Sequence, residues 1–479
     1  MKKIILTLAC GGVVMAATAG DGIKYPITRE MHNPLFVEFP SQMYGTDSIG
    51  RMFTADASAH VWPDGRLYVY ASHDMEPPKG CDRMDRYHVF STDDMVNWTD
   101  HGEILSSYDV KEQSGWGIEG WMWAPDAAYN PANGKYYFYF PHVNEPLPWG
   151  GHDWRVGIAV SDSPASDFHT AGYVEGAPSL IDPCVFVDDD GQPYIYNGGG
   201  GQCAGGKLRL DDWTRLDGEM QPMQGLVDFH EGTWVHKYNG KYYLSHSDNH
   251  GRDGNRLRYA MSDSPLGPWE DKGVYVYATG CGTIHGSIVE YKGKWYALYH
   301  VNNPSGRDEL RSVCIDELEY NPDGTIRVVR NWGTPHDEMP MLPAAGETLS
   351  IDAVNYNNGG EHYAYHKNGG DAPVAAESKS GKHIADMGKG DWMRYCVNAK
   401  SDGRYDITFK VAPKAPETKF HLSANGSDIT GEIALDGTSK SFADITVEGV
   451  SIGADVEYLD LRADNGVFDI KSITIVPAK

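Results

Sequence analysis

One motif recurs five times along this chain. A polar residue is followed, eight or nine positions later, by a glycine that opens an aromatic segment such as GRLYVY or GKYYFY. The residues between the two ends alternate or cluster apolar side chains as strands do. Each unit therefore predicts two strands joined by a tight turn at the glycine. The five leading residues, each with its glycine, are Asp56 and Gly65, Asp126 and Gly134, Asp182 and Gly191, Glu231 and Gly240, and His285 and Gly293.

The spacing of these units predicts a repeat architecture. Successive leading residues are 70, 56, 49 and 54 positions apart, which leaves room for four strands in each unit. A second series is typical of outer hairpins and comprises VFSTDDMVNW (89–98), AVSDSPASDF (159–168), LRLDDWTRL (208–216) and YAMSDSPLGPW (259–269). We predict an all-β fold in which residues 30–335 form a five-bladed β-propeller with the leading residues around its axis. The alternative is an all-β sandwich whose hairpins share Asp-Gly and Asn-Gly turns.

A Pro/Gly-rich stretch, GTPHDEMPMLPAAGE (333–347), indicates a domain boundary, with residues 336–347 as the predicted linker. Beyond it, segments such as RYDITFKVA and KSFADITVEG alternate apolar and polar residues between turn signals. We predict a second domain over residues 348–479, a β-sandwich of the jelly-roll type.

The first residues are typical of an export signal. Two lysines precede an apolar run (4–15), and Ala17 and Ala19 provide the small residues of a cleavage site. We expect residues 1–19 to be removed and the protein to be exported, to the periplasm, the cell surface or the medium. The alternative is lipidation at Cys10. No other segment of the sequence is long and apolar enough to predict a membrane span.

Charge and cysteine content argue against several classes of partner and site. The net charge of −26 disfavours nucleic acid and anionic membrane surfaces as partners. Six cysteines remain after cleavage, scattered and without a CxxC pair, so their spacing predicts neither a disulfide framework nor a zinc site. The 29 tyrosines and 13 tryptophans fit an exported β protein that binds sugars. We expect no organic cofactor.

The carboxylates among the leading residues suit the hydrolysis of a glycosidic bond. One carboxyl group must stay protonated to donate to the leaving oxygen, and another must stay ionised as base or nucleophile. A third can keep the pKa of the acid high by charge repulsion. We therefore take Asp56, Asp182 and Glu231 as candidate catalytic residues. The alternative is that these residues cap turns or hold a structural cation.

The flanks of the leading residues resemble glycoside hydrolase family 43. The resemblance covers the first predicted domain, in order, through FTADASAHVWPDGRLYVYASHD, WAPDAAYNPANGKYYFYF, IDPCVFVDDDGQPYIY, HEGTWVHKYNGKYYLS and IHGSIVEYKGKWYALYH. It implies an inverting enzyme in which Asp56 is the general base, Asp182 tunes the pKa of the acid and orients it, and Glu231 is the general acid. Inversion needs roughly 6.5–9.5 Å between base and acid to admit a water.

The same resemblance implies further site residues. His285 matches a histidine that ligates calcium or another cation in the central channel, where waters would complete the shell because calcium prefers oxygen. The alternative is a hydrogen-bonded histidine without a metal. Asp126 matches a substrate-proximal carboxylate, and Arg311 an arginine that bonds the substrate, with a surface salt bridge as the alternative. Independently of the resemblance, Trp121 and Trp123 are candidates for stacking on a sugar, with core packing as the alternative, and we expect one of them to face the sugar.

The second domain resembles carbohydrate-binding module family 6, through GKGDWMRYCVNAKSDGRYDITFKVA (388–412) and NGVFDIKSITIV. It departs from that family in LDGTSKSFADITVEG (435–449), which has no tryptophan where such modules usually place one that stacks on sugar. Glycan capture and a structural role both stay open for this domain, and Trp392 and Tyr395 are alternatively core residues.

We therefore expect an exported inverting glycosidase that releases terminal α-L-arabinofuranosyl or β-D-xylosyl units from plant cell-wall polysaccharide or oligosaccharide. The two sugars present similar hydroxyl arrangements to a small pocket, so the sequence separates them poorly. One alternative is a non-catalytic glycan-binding propeller that uses the acids as hydrogen-bonding groups. Another is an endo-acting arabinanase or a galactan-directed hydrolase.

Overall fold

The computed structural model describes residues 23–43, 46, 48–76, 79–148, 150–248, 255–276, 278–329, 340–356, 364–368, 373–378, 381–397, 399, 401–454, 456 and 458–478. Strands hold 55% of the residues and helix 2%, so the predicted all-β fold class is confirmed. The predicted signal segment (1–19) and the first four positions of the predicted linker (336–339) lie outside the described residues. Within the described part of the chain, no helix has the length and apolar character needed to cross a membrane.

The first sheet contains Asp56 and takes its outermost strand from the start of the described chain. The elements are β1 (Ile27–Glu30), β2 (Pro40–Gln42), β3 (Ile49–Arg51), β4 (Thr54–Val61), β5 (Leu67–His73), β6 (Arg86–Thr92), β7 (Asn97–Ser106) and α1 (Ser107–Ser114). The sheet has the order β1-β7-β6-β5-β4, while β2 and β3 pair separately. Helix α1 begins with a capping box between Ser106 and Asp109.

Four further sheets follow in chain order, and the first strand of each begins within three residues of a leading residue. The second has the order β11-β10-β9-β8 and consists of β8 (Asp126–Asn130), β9 (Lys135–Pro146), β10 (His152–Ser161) and β11 (His169–Tyr173). The third has the order β12-β13-β14-β15, with β16 paired to β14, and consists of β12 (Cys184–Val187), β13 (Pro193–Gly199), β14 (Gln202–Arg209), β15 (Asp212–Leu216) and β16 (Gln221–Pro222).

The fourth and fifth sheets complete this part of the chain. The fourth has the order β17-β18-β19-β20 and consists of β17 (Phe229–Tyr238), β18 (Lys241–Asp248), β19 (Leu257–Ser262) and β20 (Glu270–Val276). The fifth has the order β21-β22-β23 and consists of β21 (Ile288–Tyr291), β22 (Lys294–Val301) and β23 (Ser312–Leu318). In every sheet the first two strands of the unit pair antiparallel, as the repeat predicts.

The turns between these strands depend on glycine for its backbone freedom. The five repeat glycines have φ angles between 72° and 83°, a region that residues other than glycine rarely adopt. No atom lies within 4 Å of the position that a Cβ would take at any of them. The glycines are therefore required by conformation and not by space, and the predicted tight turns are confirmed.

The first strands of the five sheets contact one another in a closed ring. Strand β4 contacts β8, β8 contacts β12, β12 contacts β17, β17 contacts β21, and β21 contacts β4. Such a ring is consistent with a β-propeller. It brings the amino-terminal ends of five strands together around one axis, which is what positions the site.

Strand β5 shows how each sheet is covered on both faces. Tyr68 and Tyr70 pack in a core that includes Phe138 of the second sheet, whereas Leu67 and Val69 pack in a core shared with the fifth sheet. Because successive side chains of a strand point to opposite faces, the first sheet lies between the second and the fifth. All seven residues of β5 are consequently buried.

The rest of the described chain forms two more sheets. One has the order β26-β27-β35-β29-β33, with β24 paired to β35, and consists of β24 (Leu349–Asp352), β26 (Val374–Ser378), β27 (Gly381–Gly388), β29 (Gly403–Pro413), β33 (Ala443–Ile452) and β35 (Val467–Pro477). The other has the order β25-β28-β34-β30-β31, with β32 paired to β30, and consists of β25 (Tyr365–His366), β28 (Trp392–Cys396), β30 (Thr418–Ala424), β31 (Ser427–Asp428), β32 (Ile433–Leu435) and β34 (Tyr458–Asn465).

These two sheets share one apolar core. Phe420 of β30 packs against Phe409 of β29 and Phe468 of β35, which belong to the other sheet; the ring centroids are 5.2 Å and 5.1 Å away. All three rings are fully buried. The alternating pattern that predicts strands in this region therefore corresponds to side chains that meet between two sheets.

Candidate active site

A cavity of about 190 Å³ lies at the amino-terminal ends of the ring strands. It brings together all three candidate catalytic residues, Asp56, Asp182 and Glu231, with His285 and Arg311. The other lining residues are Cys81, Asp82, Met84, Trp123, Ala124, Ile181, His230, Thr283 and Ile284. Four of the five leading residues thus line one cavity.

Local departures from regular strand deliver the three carboxylates. Asp56 has a φ of 54° and Asp182 a φ of 50°, in the left-handed region that aspartate tolerates better than most side chains. Backbone conformations of this kind are common at functional sites, where the surrounding structure imposes them. The pairing of β17 with β18 is irregular on both sides of Glu231, and irregularities of this kind re-aim a side chain.

Asp56 is held in its ionised form. Burial opposes the charge, but Arg311, His300 and His285, with a hydrogen bond from Ser72, outweigh it and lower the pKa of Asp56. Burial also lowers the pKa of both histidines, that of His300 to about 3, so they are neutral near pH 7. The effective charge is therefore that of Arg311, which donates to both carboxylate oxygens at 3.2 Å. The Ser72 hydroxyl donates to Oδ2 at 2.5 Å.

Asp182 and Glu231 are biased toward the protonated form. Burial raises the pKa of Asp182 well above its ordinary value, and the charges of Glu231 and Asp56 add to the effect. The amide of Gly232 donates to Asp182 Oδ2 at 2.8 Å and opposes it. Burial likewise raises the pKa of Glu231, with His230 opposing and Asp56 adding. Because the groups interact, ionisation of Asp56 favours a proton on its neighbours.

The site therefore contains one carboxylate kept ionised beside two carboxyl groups that resist ionisation. Environments that push the pKa values of neighbouring acids apart are the arrangement that general acid and base catalysis requires. The side chain of Glu231 is 19% exposed, whereas Asp56 and Asp182 are buried. A proton on Glu231 is accordingly open to a molecule that enters from solvent.

Arg311 is buried, so it does not form the surface salt bridge that was the alternative to its role in substrate binding. It donates from Nε and Nη2 to Asp74 at 2.9 Å and 2.8 Å, and from its backbone amide to the same carboxylate at 2.7 Å. A further bond reaches the Thr283 hydroxyl at 3.2 Å. Arg311 lines the cavity, so its guanidinium both fixes Asp56 and lies within reach of a bound molecule.

Asp126, the remaining leading residue, is not brought into the cavity lining. Its Oδ1 accepts from the Ser58 hydroxyl at 2.5 Å and the Ala127 amide at 2.7 Å, and lies 2.7 Å from His60 Nε2. Its Oδ2 accepts from the Val185 amide at 2.6 Å. These contacts join the first three sheets across the ring, and the role of Asp126 in substrate binding stays a prediction.

Trp121 and Trp123 lie differently with respect to the cavity. Trp123 belongs to the lining, while Trp121 lies beside it with its ring centroid 5.9 Å from that of Trp123. Both rings are partly exposed. The indole of Trp123 donates to the carbonyl of Asp82 at 2.9 Å, which fixes its ring at the rim.

His285 is the residue that the sequence suggests for a cation. Its Nδ1 is buried without a hydrogen-bond partner in the described part of the molecule. Among the described residues, however, no group of three or more His, Cys, Asp or Glu side chains is arranged to hold a metal ion. One imidazole nitrogen does not fit a calcium ion held by protein ligands alone, since calcium prefers six to eight oxygens. The catalytic steps are therefore assigned to side chains and not to a metal.

Several contributors to the site were not identified from the sequence. Ser72 and Asp74 hold Asp56 and Arg311, and Cys81, Asp82 and His230 line the cavity. The hairpin register could have indicated Ser72, because the pairing of β4 with β5 places it opposite Ala55. The loop residues Cys81 and Asp82 carry no comparable signal. Burial raises the pKa of the Cys81 thiol to about 11, so it is not a thiolate nucleophile near neutral pH.

Comparison with known proteins gives a consistent picture. Residues 46–326 match the model of the family described as glycosyl hydrolases family 43. The chain is similar to a xylosidase/arabinosidase of Bacteroides ovatus, with 35% identity over 325 residues, which is 57% of this chain and 94% of that protein. It is also similar to an arabinoxylan arabinofuranohydrolase of Bacillus subtilis, with 30% identity over 441 residues, 81% of this chain and 80% of that protein.

The fold is similar to a solved structure as well. A β-xylosidase/α-arabinofuranosidase from a compost microbial metagenome, in complex with xylotriose and in a calcium-free form, aligns with a TM-score of 0.54 and 32% identity. The alignment covers 63% of this chain and 98% of that protein. The family match over residues 46–326 includes the five ring strands and every residue that lines the cavity.

Proposed function

Because the chain belongs to glycosyl hydrolase family 43 and is a glycosidase of the β-xylosidase or α-L-arabinofuranosidase type, we propose that it releases terminal α-L-arabinofuranosyl or β-D-xylosyl units from plant cell-wall polysaccharide or oligosaccharide. The observation that supports this proposal most is that neighbouring carboxyl groups favour different protonation states. Asp56 is ionised through Arg311, while Glu231 and Asp182 favour their protons.

The proposed mechanism uses this difference directly. Asp56 accepts a proton from a water as that water attacks the anomeric carbon, and Glu231 donates its proton to the departing oxygen. Burial and the charge of Asp56 keep the pKa of Glu231 high, while Asp182, itself biased toward its proton, orients the acid and takes no part in bond making. Because the water attacks opposite the leaving group, the released sugar has an inverted anomeric configuration.

The burial of the carboxyl groups supports the release of terminal units. Asp56 and Asp182 are buried, and Glu231, the proposed acid, has a side chain that is 19% exposed. Carboxyl groups that lie away from solvent favour an enzyme that accepts a chain end over one that cleaves within a chain.

The architecture that we propose is a five-bladed β-propeller over residues 30–335, a linker over 336–347 and a β-sandwich over 348–479. The ring of contacts among β4, β8, β12, β17 and β21 supports the first. The shared core of the two carboxy-terminal sheets supports the last. Expression of residues 348–479 alone, followed by thermal unfolding, tests the boundary: a cooperative transition supports an independent domain, and an unfolded fragment contradicts it.

The carboxy-terminal sheets are proposed to form a module of the carbohydrate-binding family 6 type. Tyr395 is a core residue, fully buried with its hydroxyl bonded to the carbonyl of Ala353 at 2.9 Å. Trp392 is partly exposed between the guanidinium groups of Arg394 and Arg462, each 5.2 Å from its ring centre. Affinity electrophoresis in xylan and arabinan gels tests capture, and unchanged mobility in both would leave a structural role.

A cation at His285 is proposed in a water-coordinated form. The unpartnered Nδ1 supports it, and waters would have to supply the oxygen ligands. The test is the melting temperature with added calcium and with a chelator, in the wild type and in His285→Gln. Equal melting temperatures of the wild type in the two buffers would contradict the proposal.

Export through residues 1–19 is likewise proposed from the sequence, with cleavage after Ala19. Amino-terminal sequencing of the protein from the native host would test it, since a mature chain that begins at Gly20 is expected. A lipid-modified cysteine at position 10 would contradict it.

The enzymatic proposal is tested with aryl α-L-arabinofuranosides, aryl β-D-xylosides and arabinoxylan oligosaccharides, with NMR of the first-formed sugar. Release of pentose with inverted configuration supports the mechanism. Retention would mean that a carboxylate acts as nucleophile. Binding of the oligosaccharides without hydrolysis would identify the protein as a glycan-binding propeller instead.

A further inference from the structure

Four partly exposed aromatic rings cluster beside the carboxylate cavity: Trp121, Trp123, His152 and Trp154. The centroid of Trp123 lies 4.5 Å from that of Trp154, and the centroid of Trp121 lies 4.2 Å from that of His152. Trp121 and Trp154 meet edge to face at 6.2 Å. The rings come from two places in the chain, the segment 121–123 and the start of β10. We call this group the tryptophan platform.

One hydrogen bond attaches the platform to the rim of the cavity, and a second joins it to the segment that leads to the rim residue Ile181. Trp123 itself lines the cavity and donates its indole N–H to Asp82, another lining residue. The backbone amide of Trp154 donates to the hydroxyl of Ser179 at 3.0 Å. Ser179 stands two positions before Ile181, which also lines the cavity. The platform therefore continues the cavity wall outward.

The backbone under the platform is held in an unusual conformation. Trp121 has a φ of 63°, which is rare for a bulky side chain. The amide of Met122 donates to the carbonyl of Met84 at 2.9 Å, and the guanidinium of Arg83 lies 6.0 Å from the ring centre of Trp121. Residues in this region of φ persist only where neighbours impose them. The backbone at Trp121 is thus held by its neighbours, although the ring is partly exposed.

The cavity and the platform are placed to contact different sugar rings of one substrate. In the proposed mechanism the terminal sugar lies against the buried Asp56, and the partly exposed Glu231 donates to the departing oxygen, so the ring across the scissile bond lies toward the open side of the cavity, over the rim. The C–H face of a pyranose packs well on an aromatic ring, and the partly exposed rings of the platform lie next to the cavity.

We propose that the tryptophan platform binds the sugar ring on the leaving-group side of the scissile bond, and that Trp154 gives the enzyme its preference for oligosaccharide over substrates without a second ring. This inference rests on the proposed glycosidase function. The ligand class is a β-linked pyranose chain, bound by stacking and not by charge. Trp154 is then a specificity-determining residue that touches the leaving group and takes no part in proton transfer.

The test compares two substrates in each of four proteins. One substrate is an oligosaccharide that the wild type cleaves, and the other is the glycosyl fluoride of the same terminal sugar, which has no second ring. The proteins are the wild type, Trp154→Leu, Trp154→Phe and Trp295→Leu. Leucine keeps much of the apolar volume but loses the flat face, whereas phenylalanine keeps a flat face. Trp295 is a matched control, because it is partly exposed and lines a different cavity at the opposite ends of the ring strands.

The measured quantity is the ratio of kcat/KM on the oligosaccharide to kcat/KM on the fluoride. We expect Trp154→Leu to lower this ratio roughly two- to tenfold, the range that one aromatic stacking contact provides. Trp154→Phe should restore most of it, and Trp295→Leu should leave it at the wild-type value.

The outcomes separate this proposal from the proposed function. If Trp154→Leu has the wild-type ratio, the platform does not bind the leaving group, even if the enzyme is active. If Trp154→Phe falls as far as Trp154→Leu, the effect is not stacking and the proposal is wrong. If the wild type releases sugar from neither substrate, the glycosidase function itself fails, before any variant is compared.

Discussion

The guanidinium of Arg311 is shared between Asp56 and Asp74. It donates to both oxygens of Asp56 at 3.2 Å and to both oxygens of Asp74 at 2.8 Å and 2.9 Å. All three side chains are buried. Because an arginine in a protein stays protonated, it keeps Asp56 ionised without contributing a proton that the reaction could use. Asp74 anchors the guanidinium in turn.

We expect Arg311→Met to shift the acid limb of the kcat/KM profile to higher pH. In the wild type Asp56 has a lowered pKa, so the base is lost only as the pH falls through that lowered value. Without the Arg311 guanidinium the effect of burial dominates, and the pKa of Asp56 rises. Arg311→Lys, which keeps the charge but not the two-pronged geometry, should move the limb less. A profile on the glycosyl fluoride checks this, and an unmoved acid limb in Arg311→Met would contradict our account of Asp56.

We expect Asp182→Asn to inactivate the enzyme and yet stabilise it at neutral pH. The folded-state pKa of Asp182 is raised, so its contribution to stability is present at low pH and is lost as the pH rises through the folded value. Asparagine cannot ionise, and it tolerates the φ of 50° at this position. The melting temperature should therefore rise relative to the wild type at pH 8 more than at pH 4.

Asp74→Asn is the comparison for that experiment, because burial raises the pKa of Asp74 as well, but its carboxylate accepts hydrogen bonds from Arg311. It removes the charge that pairs with the buried Arg311, and loss of one partner of a buried ion pair typically costs about 3–5 kcal/mol. It should lower the melting temperature at pH 8. If Asp182→Asn also lowers it at that pH, the raised pKa that we assign to Asp182 is wrong.

Glu231 and Asp56 should differ in their dependence on the leaving group. General acid catalysis is typically worth about 10²–10⁴ in rate, and it matters most when the departing oxygen is basic. Glu231→Gln should therefore impair hydrolysis of oligosaccharides while sparing much of the activity on dinitrophenyl glycosides. Asp56→Asn should depress both, because every substrate needs the base. Identical substrate profiles for the two variants would refute the assigned roles even if both residues prove essential.

Two glycines should respond to alanine for different reasons. Gly191→Ala meets open space but must adopt a φ of 83°, which costs roughly 1–2 kcal/mol. A Cβ at Gly286 would lie 1.8 Å from the carbonyl oxygen of Leu298, and this backbone atom cannot turn aside. Gly286→Ala should therefore be the more destabilising change in urea unfolding and should also disturb the adjacent His285. Equal midpoints would contradict the close approach of β22 to the ring.

Local chemistry made the elements of this fold predictable from the sequence. A glycine with positive φ lies in the turn after each first strand, and alternating side chains on either side form the hairpin, so both constraints act within about twenty residues. The same periodicity places the leading residues at equivalent ends of their strands. The carboxylates Asp56, Asp182 and Glu231 could therefore be selected as a group before any contact was known.

The environment of each leading residue was decided by tertiary structure. Arg311 stands 255 positions from Asp56 and meets it because the fifth sheet closes against the first. Closure also turns Asp126 toward Ser58 and Val185 and away from the cavity, although its local sequence has the same pattern as its neighbours. The platform residue Trp154 reaches Trp123 only through the folded second sheet. A repeat determines where a side chain starts on its strand, but charge, burial and neighbours depend on contacts between residues far apart in the chain.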